Sequence, residues 1–217
     1  MRWKTMEVLE GAKAPLFRRR RTRRDLENLR RNTAAFAGHK GKLLHGQRTK
    51  PMCDMYYGTH DLGYNGCELI AVANVTTMLG RSVPLPQVIY EFERNNMQYI
   101  FSSGLWGTSP RALRAFFEPH GFSFQSFGNG KRFDLAAAEK DCCGIISFWN
   151  NRWSEVRFGR LDFFSGGLHT VAFRRSGGKF YVYNFYSRDA SPRVFDRISE
   201  AYDQKRFIVG YILEVRG

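Results

Sequence analysis

The chain has 217 residues, 43% of them hydrophobic and 15% aromatic, enough for one domain or one two-lobed domain with a sizeable core. Its net charge of +14 is uneven: residues 1–50 carry 15 Lys and Arg against 4 Asp and Glu, whereas residues 51–217 carry 19 against 16. No apolar run approaches the length of a membrane span, and the N-terminus lacks the apolar core of a signal peptide, so the sequence predicts no membrane span.

The basic charge belongs to residues 1–50, which we predict to be an N-terminal arm with one short helix. The arginine-rich stretch 18–24 indicates either a solvated arm or a segment that binds an anionic partner, such as nucleic acid or lipid head groups. Apolar residues recur at helical spacing from Leu26 to Phe36. That helix either packs on the body or belongs to a detachable pro-segment, and residues 38–50 are expected to form a polar linker.

The cysteines are Cys53, Cys67, Cys142 and Cys143, and their spacing matches neither a zinc ribbon nor a disulfide framework. Reduced thiols indicate a cytosol-like compartment, so we expect a cytoplasmic protein, with export without a signal peptide left open. The sequence predicts no metal site and no cofactor, and it does not indicate an oligomeric state.

The globular body is predicted to span residues 51–217, and its first element is a helix from about Cys67 to Leu79. Asn65 and Gly66 are good N-cap residues, and the helix is apolar nearly all round, which indicates burial. Cys67 stands at its N-terminus, where the helix dipole favours the thiolate, so we expect its pKa to lie below the ~8.5 of a free cysteine. The alternative is a small core residue without chemistry.

Helices are predicted in the first half of the body and strands in the second. A second helix is centred on 88–92, and a third begins near Ser109 and Pro110, which suit the N-cap and N1 positions. The strand predictions rest on runs of β-branched and aromatic residues. They cover 144–149, 167–173, 180–186 and 207–215. Helices followed by strands indicate an α+β fold.

Gly177 and Gly178 predict a two-residue hairpin loop between the second and third of these strands. This register makes His169 and Asn184 diagonal neighbours on one face of the sheet, with Cα atoms roughly 7–8 Å apart. An imidazole oriented by an amide is what a cysteine nucleophile needs as its base. We therefore predict a catalytic constellation of Cys67, His169 and Asn184.

The order of a cysteine helix, a histidine strand and an asparagine on the next strand resembles papain-like cysteine peptidases, most of all those related to bacteriocin-leader-processing peptidases. The segments that carry the resemblance are 65–71, 79–80, 107–110, 168–171 and 182–184. The resemblance implies a helical lobe with the central cysteine helix, an antiparallel sheet lobe, and a cleft between them. It also implies Cys67 as nucleophile, His169 as general base and acid, and Asn184 as the residue that orients the histidine.

Members of this family carry a glutamine ahead of the cysteine that helps to bind the oxyanion, and the nearest amide here is Asn65. The resemblance implies hydrolysis of a peptide or amide bond in a peptide or protein substrate. A transpeptidase, deamidase or acyltransferase would use the same three residues. The alternative from another class is a non-catalytic binding module on the same scaffold, with the basic arm for an anionic partner.

Overall fold

A computed structural model describes residues 16–95, 97, 108, 110, 113–152, 167–203 and 205–215. For residues 16–21 and 151–152 it describes the backbone alone. The turn and cap predicted at 104–109 lie outside these residues, except for position 108, as do Trp106, Trp153 and residues 163–164.

Helices dominate the chain up to Phe117, as the sequence predicts. In chain order they are α1 (Leu16–Ala35), α2 (Leu62–Asn65), α3 (Cys67–Met78), α4 (Leu85–Arg94), α5 (Leu113–Phe117) and α6 (Gly130–Glu139). Short 3₁₀ helices cover Met52–Asp54 and Ile198–Tyr202. No described helix combines the length and the apolar composition that crossing a membrane requires.

The strands form one small and one large antiparallel sheet. They are β1 (Tyr56–Tyr57), β2 (His60–Asp61), β3 (Phe122–Phe127), β4 (Cys143–Arg152), β5 (Leu168–Ser176), β6 (Lys179–Tyr183), β7 (Arg193–Phe195) and β8 (Lys205–Val215). The large sheet has six strands in the order β3-β8-β4-β5-β6-β7, and β1 pairs with β2. The predicted α+β class and the four predicted strands are confirmed.

The large sheet carries helices on both faces. Successive residues of a strand point to opposite sides, so neighbours in the chain pack against different helices. Ile145 and Ala172 lie in the apolar cluster formed with α3 and α4. Their chain neighbours Ile146 and Val171 lie in a second cluster, with Phe133 of α6. Both α6 and β3 are absent from the sequence prediction, although Asn129 caps α6 by accepting a hydrogen bond from the N–H of Arg132 at 3.1 Å.

The predicted hairpin loop is confirmed: Ser176 pairs with Lys179 across Gly177 and Gly178. Both glycines have positive φ, at 59° and 77°, as a type I′ turn requires. The register continues to the pair Ala172–Tyr183, where β6 ends. The strand therefore stops three residues before the predicted end at Tyr186, because Asn184 turns into the left-handed region with φ 58°.

Residues 22–50 contact the body through buried polar groups. Asn32 bonds both backbone groups of Tyr56 at 2.8 Å, and Asn28 donates to Glu93 of α4 at 2.7 Å. Leu44 and Gln47 are 4% and 8% exposed, so the expected polar linker at 38–50 is wrong in its middle. The domain boundary at residue 50 and the pro-segment stay predictions.

Candidate active site

Cys67 is the first residue of α3, as predicted, and only 7% of it is exposed. Gly66 is the N-cap, and a Cβ there would lie 2.3 Å from the Leu62 side chain, so the close approach of α2 and α3 requires glycine. The sulfur faces β5, at 3.9 Å from the carbonyl oxygen of Leu168. The N-terminus of the helix therefore places the thiol next to the first residues of β5, the strand that carries His169.

The expected low pKa of Cys67 is wrong. Burial raises the pKa of the thiol well above its usual range, and the neighbouring Glu68 carboxylate raises it further. The backbone N–H groups of Thr170 and Glu68 act in the opposite direction and do not reverse the shift. The thiol is thus the resting form of this residue at neutral pH.

Glu68 is the partner of this thiol, and the sequence prediction missed the contact. Cys67 Sγ donates to Glu68 Oε2 at 3.1 Å, and Thr170 Oγ1 donates to Glu68 Oε1 at 3.3 Å. Thr170 Oγ1 also lies 2.8 Å from Ser147 Oγ on β4. Because Glu68 is 2% exposed, burial raises the pKa of its carboxyl to about 7. A polar network thus crosses the interface between α3 and the sheet.

His169 is the second residue of β5, and its ring is held by the turn after β6. Its Nε2 lies 2.9 Å from the Asn184 carbonyl oxygen and 3.1 Å from that of Phe185. The ring packs edge to face on Phe148, with centroids 5.8 Å apart. Among the described residues, neither hydrogen bond of the ring involves Cys67, whose sulfur lies beside the backbone of Leu168 and Thr170, the residues on either side of His169.

The two carbonyls fix the proton on the imidazole. A carbonyl oxygen only accepts, so Nε2 must carry the hydrogen and Nδ1 keeps its lone pair in the neutral ring. Burial lowers the pKa of His169, the two carbonyls oppose that shift, and Lys205 adds to it. The ring is therefore neutral at pH 7 and presents a basic Nδ1.

Asn184 supports His169 through its backbone, whereas the sequence predicted its side chain. The side chain turns to Gln47: Oδ1 accepts from the backbone N–H of Gln47 at 2.8 Å, and Nδ2 donates to Gln47 Oε1 at 3.2 Å. Asn184 is 1% exposed, so both bonds are buried. Gln47 was not among the predicted site residues, because it lies 137 positions away in a segment expected to be a linker.

Asn65, the predicted oxyanion ligand, ends α2 one residue before the N-cap of α3. It is buried, and its Nδ2 donates to the Tyr57 carbonyl oxygen at 3.1 Å. This bond ties α2 to β1 and points the amide donor at the backbone. The role of Asn65 in binding an oxyanion stays a prediction.

Two clefts of about 300 and 350 Å³ both include Lys140 and Cys142, at the opposite end of β4 from Cys67, and the larger also includes Met78 at the C-terminal end of α3. There Cys143 pairs with Arg174, four residues along β5 from Thr170, so neither cleft belongs to Cys67. All four cysteines are free thiols. Within the described residues, no three His, Cys, Asp or Glu side chains are grouped closely enough to hold a metal ion.

The arrangement offers a thiol at a helix N-terminus and a neutral imidazole of fixed tautomer on the strand beside it. Such a pair is capable of nucleophilic chemistry when the ring reaches the sulfur and removes its proton. Comparison of the sequence with protein-family models and with curated proteins finds no match.

Proposed function

We propose that the protein is a thiol hydrolase of papain-like fold that cleaves a peptide or amide bond in a peptide or protein. Cys67 is the nucleophile in this proposal and His169 is the general base and acid. Asn184 orients His169 through its backbone carbonyl, together with that of Phe185.

The proposal rests on the two backbone carbonyls of Asn184 and Phe185 that bind His169 Nε2, which we call the clamp. Two carbonyl oxygens within 3.1 Å hold one ring nitrogen as a donor, which leaves the other as the base. The strand that bears this ring lies against the N-terminus of α3, with Cys67 Sγ 3.9 Å from Leu168 O. The order of helix, histidine strand and asparagine turn supports the papain-like assignment.

The reaction follows from these roles. Nδ1 of His169 accepts the thiol proton, and the thiolate attacks the substrate carbonyl carbon to form a C–S bond. The carbonyl oxygen becomes an oxyanion beside the N-terminus of α3, where backbone N–H groups are available. His169 returns the proton to the leaving amine as the C–N bond breaks. Water, deprotonated by His169, then releases the acyl group and restores the thiol.

Hydrolysis of fluorescently labelled casein tests the proposal directly. Wild-type protein is expected to cleave it, and Cys67→Ala and His169→Ala are expected to lose at least ~10³-fold in rate. Cys143→Ala is the matched control, since Cys143 is 8% exposed and burial raises its pKa too. If Cys143→Ala loses as much activity as Cys67→Ala, the assignment of Cys67 as the nucleophile is wrong.

A second candidate, a binding module without catalysis, is favoured by one observation. The Cys67 thiol donates to Glu68 and has a raised pKa, which are properties of a core cysteine. Iodoacetamide distinguishes the two functions. In the hydrolase, Cys67 is alkylated faster than Cys143, and His169→Ala slows the reaction at Cys67. If Cys67 and Cys143 react at the same rate, and His169→Ala changes neither, the binding module is the better description.

A further inference from the structure

The segment 44–48, which we call the N-terminal strap, crosses the candidate site and bonds three parts of the body. Leu44 exchanges two hydrogen bonds with the Asn74 side chain of α3, at 2.7 and 2.9 Å. Gln47 Nε2 donates to the Gly63 carbonyl oxygen of α2 at 2.8 Å. The Arg48 N–H donates to the Ser187 carbonyl oxygen at 2.8 Å. The strap thus joins the cysteine helix to the turn that follows β6.

Asn184 has a backbone conformation that needs support. Its φ of 58° lies in the left-handed region, which costs an L-residue other than glycine about 1–2 kcal/mol. Asparagine is among the residues that tolerate this region best, but the turn also needs contacts that hold it. Asn184 Oδ1 and Nδ2 both bond to Gln47, so Gln47 is the residue that provides them.

The orientation of the Gln47 amide is also determined by its surroundings. Oε1 accepts from Asn184 and Nε2 donates to the Gly63 carbonyl. A flipped amide would set an NH₂ against an NH₂ and an oxygen against an oxygen. Because Gln47 is 8% exposed, water cannot readily replace either bond, and losing one leaves a buried polar group unsatisfied.

We propose that Gln47 is a positioning residue of the site: it holds the turn at Asn184 so that two consecutive carbonyls converge on His169 Nε2. Consecutive carbonyls of an extended strand point in opposite directions and could not both reach one N–H. The left-handed residue at 184 makes the convergence geometrically available. The two hydrogen bonds of its side chain, one with the backbone N–H of Gln47 and one with the Gln47 side chain, keep it populated. This inference deepens the proposed function and rests on it for its catalytic meaning.

NMR of the His169 ring in full-length protein labelled with ¹⁵N-histidine tests the inference. In the wild type, Nε2 is expected to be the protonated nitrogen, with a proton that exchanges slowly with water. Gln47→Ala keeps the backbone N–H bond to Asn184 Oδ1 but removes the side-chain bonds to Asn184 Nδ2 and to the Gly63 carbonyl. The Nε2 proton is then expected to exchange at least ~10-fold faster, and the ring to become a mixture of tautomers. The matched control is Asn32→Ala, which removes a buried amide and its two hydrogen bonds to the Tyr56 backbone but leaves the turn untouched.

Asn184→Gly provides a second variant, needed if Gln47→Ala does not fold. Glycine adopts φ 58° freely but lacks the amide, so the ring is expected to lose protection here too. Retained slow exchange in either folded variant would overturn the inference. An equal loss in Asn32→Ala would do the same, because the effect would then be one of general stability.

Casein hydrolysis separates this inference from the proposed function. If both hold, Gln47→Ala lowers kcat by ~10-fold or more with little change in KM, since Gln47 orients the base without touching substrate. The wild type could fail to hydrolyse casein while Gln47→Ala still speeds the exchange of the His169 proton. That result would contradict the proposed hydrolase and leave the positioning role of Gln47 standing.

Discussion

Two opposing effects act on the Cys67 sulfur, and their magnitudes decide its protonation. A helix N-terminus stabilises an anion by about 0.3–1 kcal/mol, and by up to ~2 kcal/mol in partly buried sites. Removing an ion from water costs several kcal/mol even after the protein relaxes. Cys67 is 7% exposed, and its sulfur lies 3.1 Å from a Glu68 carboxyl oxygen. Burial and Glu68 therefore outweigh the helix N-terminus, and the thiol keeps its proton. The sequence indicates the helix terminus but not the depth of burial.

Glu68→Gln is expected to speed the alkylation of Cys67 by iodoacetamide at pH 8. The pKa of the Glu68 carboxyl is about 7, so at pH 8 it is mostly charged and opposes the thiolate. A neutral amide removes that opposition, and the thiolate fraction rises about tenfold for each pKa unit lost. Mass spectrometry of the peptide that contains Cys67 gives the rate.

Glu93→Gln is the control for this prediction. Glu93 is also a fully buried carboxyl with a raised pKa, but it accepts from Asn28 and the Gly58 N–H, each at 2.7 Å, and not from the thiol. Its replacement should leave the alkylation rate of Cys67 unchanged. Equal acceleration in both variants would mean that looser packing, and not charge, controls the thiol.

Glu93 itself makes the free energy of unfolding depend on pH. Burial raises the pKa of its carboxyl from 4.5 to about 8 in the folded protein. Between these values the folded state holds a proton that the unfolded state has released. The contribution of Glu93 to the free energy of unfolding therefore falls by about 1.4 kcal/mol per pH unit as pH rises. The contribution is fully present below pH 4.5 and is lost by about pH 8.

Urea unfolding at pH 5, 6, 7 and 8 checks this sign. The free energy of unfolding of the wild type minus that of Glu93→Gln should decrease steadily across the series. His45 and His169, whose pKa values burial lowers, contribute with the opposite sign near pH 6.5, but they are common to both proteins and cancel in the difference. A difference independent of pH would show that Glu93 is ionised throughout.

At the scale of elements, the β5–β6 hairpin shows how strongly a local signal determines structure. Gly177 and Gly178 have φ of 59° and 77°, and a Cβ added at either would meet no atom within 4 Å. Only the backbone conformation therefore selects glycine at these positions. Gly177→Val is expected to lower the free energy of unfolding by about 1–2 kcal/mol, since a β-branched residue is strained at positive φ.

Gly177→Asn is the matched variant, because asparagine tolerates the left-handed region and suits a type I′ turn. It should cost only a few tenths of a kcal/mol in urea unfolding. Equal losses for asparagine and valine would contradict the assignment of a type I′ turn that only needs positive φ at Gly177.

The same hairpin shows where sequence patterns stop being informative. Two glycines define the loop and hence the register, so the pairing from Ser176–Lys179 to Ala172–Tyr183 could be predicted. The end of β6 could not, because the turn at Asn184 depends on contacts with Gln47 far away in the sequence. The position of His169 on the strand could be predicted, but its hydrogen-bond partners could not be predicted to be backbone carbonyls.

At the scale of the whole molecule, residues 22–50 contact the body through buried side chains. Asn28, Asn32 and Gln47 are buried and bond to α4, β1 and α2 respectively. Charge and polarity alone predicted an arm and a linker, since the few buried residues are spaced among lysines and arginines. Composition therefore describes the exposed side of this segment better than its buried side.

Two truncations test this description. Removal of residues 1–21 deletes seven Lys and Arg, but it keeps Asn28 and Asn32, so the protein should stay folded and elute from heparin at lower salt. Removal of residues 1–50 also deletes the strap, and it should lower the thermal midpoint markedly or prevent folding. A stable and active product after the second truncation would establish residues 1–50 as a pro-segment.

The separation of 137 residues between Gln47 and Asn184 also sets the timing of assembly on the ribosome. At a synthesis rate of about 5–20 residues per second, the strap emerges on the order of 10 seconds before the turn that it binds. For most of that interval His169 itself has not been synthesised, and the strap has no turn to bind. The contacts around the His169 ring therefore form only after Asn184 and Phe185 have been synthesised, long after the strap that supports them.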